Sequence, residues 1–137
     1  MKKKLLIGLL TLVMCFISVG CMNRNKELNE LENVSIIIKD KTLTKTGVTI
    51  IITDLSGNDN TYGESYRIDK NENGKWKELK PIIKDYAWNL VGYTVDENNK
   101  LELEHNWEWL YGKLEKGKYR LVKDVNNKYI SVEFEID

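Results

Sequence analysis

This 137-residue chain is poor in the residues that build chemistry. It has one histidine, His105, two cysteines, Cys15 and Cys21, and a single proline. A zinc site needs three or four ligands, and a nucleophilic triad needs an oriented histidine beside a serine or cysteine. Neither set can be assembled with conviction, so no metal, no cofactor and no enzymatic activity are expected. Two cysteines cannot make a disulfide-stapled scaffold, which leaves a hydrophobic core to hold the fold. The chain also lacks charge of one sign: 21 basic residues balance 21 acidic ones, without the basic footprint of a nucleic-acid binder. Beyond residue 20 no apolar run is long enough to cross a membrane.

What is present begins with export. Lys2, Lys3 and Lys4 precede an unbroken apolar stretch from Leu5 to Gly20, the pattern of a signal peptide over residues 1–20. Sixteen residues are short for a stable span. The following Ile17-Ser18-Val19-Gly20-Cys21 resembles the lipobox of bacterial lipoproteins, in which a small residue precedes the lipidated cysteine. Ser18 stands where leucine is commoner, and Cys15 follows the bulky Met14 and lacks the context. The resemblance implies lipidation of Cys21, a membrane partner through that anchor, and an extracytoplasmic location. Two or more acyl chains are needed for stable anchoring, since each buried CH₂ contributes about 0.8 kcal/mol. Loss of residues 1–20 removes three basic and no acidic groups, leaving 117 residues with a net charge of −3.

Residues 21–33 read as the lipidated cysteine and a polar tether. Residues 22–33 would span at most about 40 Å at about 3.3 Å per residue. Leu28 and Leu31 have helical spacing, but an isolated helix of this length is marginal in water.

From Val34 the pattern changes to period two, in runs bounded by Asn, Asp and Gly, with no sustained helical stripe. The spacing predicts an all-β domain over residues 34–137. Ile130, Val132, Phe134 and Ile136 share one face of the last strand. Leu101, Leu103, His105, Trp107 and Trp109 share a face of another, with Glu102, Glu104 and Glu108 opposite. Further strands are expected over 34–39, 47–54, 64–70, 75–80, 87–95 and 118–124. Between two of them Asn73-Gly74 supplies the positive φ angles of a tight hairpin. The stretch from Asp69 to Gly74 also matches the first half of a calcium loop, but its twelfth position is Lys80 where a bidentate carboxylate is required. The hairpin reading is therefore preferred.

Seven or eight short antiparallel strands in about 100 residues describe an immunoglobulin-like β-sandwich, with a barrel as the alternative. Leu114, Gly117 and Tyr119 favour the sandwich, because their arrangement is that of a tyrosine corner, in which the phenol bonds back to nearby backbone. On Tyr66-Arg67-Ile68 with Gly74-Lys75-Trp76, on Leu114 with the run from Gly117 to Lys123, and on the alternating final strand, the chain resembles a bacterial immunoglobulin-like domain of low-GC Gram-positive envelope proteins. The resemblance implies a structural scaffold with no catalytic residues.

His105 lies among leucines and tryptophans, as a packed histidine does, and alternating glutamates opposite an apolar face are ordinarily a solvated surface. Glycoside hydrolysis by Glu102, Glu104 or Glu108 would need a cleft and a raised carboxyl pKa. Aromatic residues offer more: four tryptophans and seven tyrosines, most expected in the core, with Tyr86, Tyr111 and Trp76 as candidates for exposed contacts. The expectation is a lipid-anchored, non-enzymatic module that binds another envelope component, a protein. The alternative is a carbohydrate-binding module that presents Trp or Tyr rings to cell-wall glycans.

Overall fold

The computed structural model describes residues 28–137. Cys21, the export segment and residues 22–27 lie outside the described residues. Nine strands and one short helix follow in the order β1 (Val34–Ile38), β2 (Gly47–Asp54), β3 (Tyr62–Gly63), β4 (Arg67–Glu72), β5 (Lys75–Glu78), β6 (Gly92–Tyr93), β7 (Lys100–Asn106), α1 (Glu108–Tyr111), β8 (Gly117–Val125) and β9 (Lys128–Ile136).

All pairings are antiparallel. One sheet has the order β1-β2-β7, a second β5-β4-β8-β9, and β3 pairs with β6 as a small ribbon. The larger sheets reproduce the A-B-E and C′-C-F-G orders of an immunoglobulin-like sandwich. Period two fixes which side chains enter the space between them. In β2, Val48, Ile50, Ile52 and Asp54 are buried and alternate with half-exposed residues. Ile68, Tyr119, Leu121, Ile130, Phe134 and Ile136 answer from the second sheet. Trp107, fully buried, stacks on Phe134 at 5.5 Å, and Phe134 stacks on Tyr119 at 5.7 Å. Each such fully buried aliphatic side chain contributes about 1.5–3 kcal/mol.

Turn chemistry sets the hairpins. Asn73 and Gly74 take φ values of 53° and 83° between β4 and β5, and Asn71 Oδ1 accepts from Gly74 N at 3.0 Å. Asn126 and Asn127, at 53° and 64°, do the same between β8 and β9. Asparagine tolerates this left-handed region because its side chain bonds locally.

Four expectations need correction. Among the described residues nine strands form where seven or eight were expected, two of them, β3 and β6, only two residues long. The expected strand over 87–95 shrinks to β6, because residues 79–91 show no alternation; Ile82 N instead bonds Leu110 O at 2.8 Å and fastens this connection to α1. Strand β7 ends at Asn106, so Glu108 and Trp109 belong to a helical turn and no longer share the strand faces assigned to them. Finally, residues 28–33 belong to the folded body. Leu28 is buried and Leu31 packs on the core, while Glu30 N donates to Tyr129 O at 3.1 Å and Ser131 N to Asn29 Oδ1 at 3.0 Å. The outer edge of β9 offers unpaired backbone groups, and the supposed tether satisfies two of them, Tyr129 O and Ser131 N. Among the described residues the apolar core runs from Leu28 to Ile136.

Candidate functional site

The connection from β5 to β7 brings aromatic side chains to one side of the first sheet. Trp88 packs on Tyr66 with ring centroids 5.0 Å apart, and Trp109, turned outward by α1, meets Trp88 at 5.5 Å. Tyr86 lies 6.1 Å from both tryptophans. Interplanar angles of 70–87° among Tyr86, Trp88 and Trp109 are edge-to-face packing, the geometry ring quadrupoles prefer. Tyr86 and Trp109 are each 41% exposed.

These rings border a groove of about 490 Å³. It is lined as well by β7 from Glu102 to Asn106 and by Glu64, Tyr93 and Asn89. Glu64, Glu102 and Glu104 bring three carboxylates to the lining, which contains no lysine or arginine. Tyr93 Oη donates to Glu64 at 2.9 Å, and Lys39 reaches Glu102 from outside the groove at 2.8 Å.

Under the groove lies a buried basic pair. Lys123 is fully buried and its ammonium donates to Gly63 O at 2.8 Å and Ser65 O at 3.1 Å. Nζ also lies 3.4 Å from His105 Nε2. An ammonium can only donate, so His105 accepts at Nε2 and carries its proton at Nδ1. Burial, reinforced by Lys123, pushes His105 down to about 3, and burial brings Lys123 down to about 8. His105 is therefore neutral at pH 7 and packed 4.5 Å from the Tyr66 ring at an interplanar angle of 40°, with the Lys123 ammonium, and no serine or cysteine, against its Nε2.

The other sequence-predicted residues separate. Tyr111 is half-buried against the core, where burial raises its hydroxyl to about 12, so it is no exposed contact. Trp76 lies on the outer face of the second sheet, away from the groove, with the Arg120 guanidinium 4.5 Å over its ring. That face is occupied structurally. Buried Asp69 accepts from Arg120 at 2.7 Å and from Arg67 at 3.1 Å, and Arg67 covers Tyr129. Leu114 is buried, and the Tyr119 hydroxyl donates to Glu115 O at 2.7 Å, the bond a tyrosine corner makes. A Cβ at Gly117 would sit 3.3 Å from Lys70 Cε and 3.5 Å from the Tyr119 ring.

Trp88 and Trp109 join the candidate site; the sequence reading assigned most tryptophans to the core and named neither of these two as an exposed contact. The available signal was local density: Tyr86 and Trp88 two apart, with Trp109 two beyond a tryptophan that closes a strand. A further buried network at the end of β2 is structural. Burial pushes the Asp54 carboxyl up, but hydrogen bonds from Ser56, Tyr62 and Asn60 outweigh it and hold it at about 2. Among the described residues no group of three His, Cys, Asp or Glu side chains converges as a metal centre requires.

No curated protein and no solved structure is significantly similar to the chain. Residues 30–135 match the family model described as the bacterial Ig-like domain, a class of extracellular binding or adhesion-type modules that are generally non-catalytic. With the sandwich topology, the tyrosine-corner bond and a match over most of its length, the chain belongs to the bacterial Ig-like domain family.

Proposed function

We propose that this domain is a non-catalytic module, lipid-anchored through Cys21 outside the bacterial cytoplasmic membrane, that binds an envelope protein on the face built by Tyr86, Trp88 and Trp109. The carrying observation is apolar exposure concentrated in one connection. Ile82, Ile83, Tyr86, Leu90 and Val91 are all exposed large hydrophobic residues, and Trp109 joins Tyr86. Scattered exposed apolar residues are ordinary, but grouped ones mark interaction surfaces. A protein fits better than a glycan, because sugar stacking wants flat ring platforms and these rings stand edge to face.

The test places a photo-crosslinking amino acid at Leu90 in intact cells, with Leu55 as an exposed control. A discrete protein adduct at 90, absent at 55 and lost on Trp109→Ala, is expected. Absence of an adduct, together with binding to sedimented cell-wall glycan that Trp109→Ala abolishes, would replace the protein partner by the carbohydrate reading. The anchor is tested separately: Cys21→Ala should leave the precursor unprocessed, and unchanged processing and membrane association would remove that part.

A further inference from the structure

β7 is the terminal strand of its sheet, whereas a constant-type immunoglobulin sandwich carries a fourth strand, D, beside E. The backbone groups on its outer side can be identified from the register. Asn99 O accepts from Asp54 N and Trp107 N donates to Thr46 O, each across the same β2–β7 alignment. Hydrogen-bonded pairs alternate in an antiparallel ladder, so Leu101, Leu103 and His105 bond to β2. Lys100, Glu102, Glu104 and Asn106 therefore turn their N–H and C=O groups outward. The ends are satisfied within the chain: Lys100 bonds Asp96 through both its N–H and its C=O, and Asn106 O accepts from Tyr66 Oη at 3.1 Å. Among the described residues nothing pairs with the backbone of Glu102 or Glu104, and they open onto the aromatic groove.

The other edges are shorter or partly covered. Asn29 and Glu30 bond the start of β9 at Ser131 and Tyr129, β1 is five residues long, and β5 is only four, with two lysines. Short strands and lysines are ways of closing an edge to other chains. β7 is seven residues long, and a groove lined by three carboxylates and no basic side chain runs beside it. A second copy of β7 would bring Glu102 and Glu104 against like charge, which disfavours self-pairing. A segment carrying lysine or arginine would gain from Glu64 and Glu104, and would share Glu102 with Lys39.

We propose that β7 takes an extended, basic segment of the partner protein as an added strand, paired through the backbone of Glu102 and Glu104 and flanked by Trp88 and Trp109. This rests on the binding-module reading and specifies its partner's chemistry. Main-chain pairing supplies attachment, and alternate side chains reach the acidic and aromatic walls.

The probe is an acetylated, amidated peptide of four Lys-Val repeats, added to the full chain in detergent micelles. Amide hydrogen exchange is followed by NMR at each β7 residue. Exchange at Glu102 and Glu104 should slow at least tenfold at saturation, and a Glu-Val peptide should leave it unchanged. Glu104→Pro deletes one outward N–H without touching the bonds to β2, a tolerated use of proline at a strand edge. It should weaken peptide binding tenfold or more, and further than Glu104→Gln, which removes only the charge. Unchanged exchange at Glu102 and Glu104 in the unmodified chain at millimolar Lys-Val peptide would overturn the proposal, whatever the folding of the proline variant. Equal weakening by Gln and Pro would reduce it to charge attraction and also overturn it. If Trp109→Ala abolishes the in-cell adduct while Glu104→Gln and a folded Glu104→Pro preserve it, strand addition falls and the module reading stands.

Discussion

Two side chains show how single contacts are weighed in this domain. Tyr119 Oη to Glu115 O joins a buried ring to backbone four residues upstream. Tyr119→Phe keeps the ring and deletes the bond, and urea unfolding should show a loss of about 1 kcal/mol, the usual net worth of a hydrogen bond. Asp69 carries more, because it is the shared acceptor of Arg67 and buried Arg120 on the covered face of the second sheet. Asp69→Ala leaves Arg120 buried without its carboxylate, and should cost about 3 kcal/mol or more by the same measurement. Its effect should exceed that of Lys39→Ala, which breaks an exposed pair with Glu102 worth at most about 1 kcal/mol.

At the level of elements, the N-terminal segment is the clearest test of the folded boundary. Leu28 is buried, and its neighbours Asn29 and Glu30 bond to β9. Leu28→Ala should destabilise the domain by about 2 kcal/mol and speed amide exchange at Ser131, whose N–H bonds Asn29. A free tether predicts neither change. Where alternation and turn residues agree, the elements are legible in the sequence: β2, β7, β9 and the Asn-Gly hairpin fall close to the expected positions because register and turn chemistry are local. The connection from Leu79 to Val91 was not legible. Its apolar residues answer to partners far along the chain, Tyr66, Trp109 and Leu110, and a periodicity reading sees only the run itself. For the same reason the sequence reading named Tyr86 and not Trp109. One turn of helix after Asn106 reverses the face on which Trp109 falls, and its capping residue Trp107 makes no side-chain cap bond that a motif search would recognise.

For the whole molecule, the buried titratable groups fix the acid response. His105 sits at about 3 in the fold and near 6.5 unfolded, so the unfolded chain binds the extra proton between those values. Its contribution is complete above pH 6.5 and falls as pH drops towards 3, with a slope of about 1.4 kcal/mol per pH unit. Asp54, held at about 2, adds a second loss below about pH 4. Stability should therefore decline well before the carboxylate range and then more steeply. His105→Gln should flatten the first decline while leaving the second, as measured by unfolding at pH 6, 5, 4 and 3. Lys123 contributes in the opposite range. Its pKa of about 8 lies below that of an unfolded lysine, so stability rises as pH climbs above 8. The seclusion of that ammonium also makes it a counter of opening events. An amine-reactive ester added to the folded protein will acylate surface lysines at once, whereas Lys123, with no exposed area, can be reached only when the sheets part. The rate at which mass spectrometry finds that one position labelled measures how often the sandwich opens.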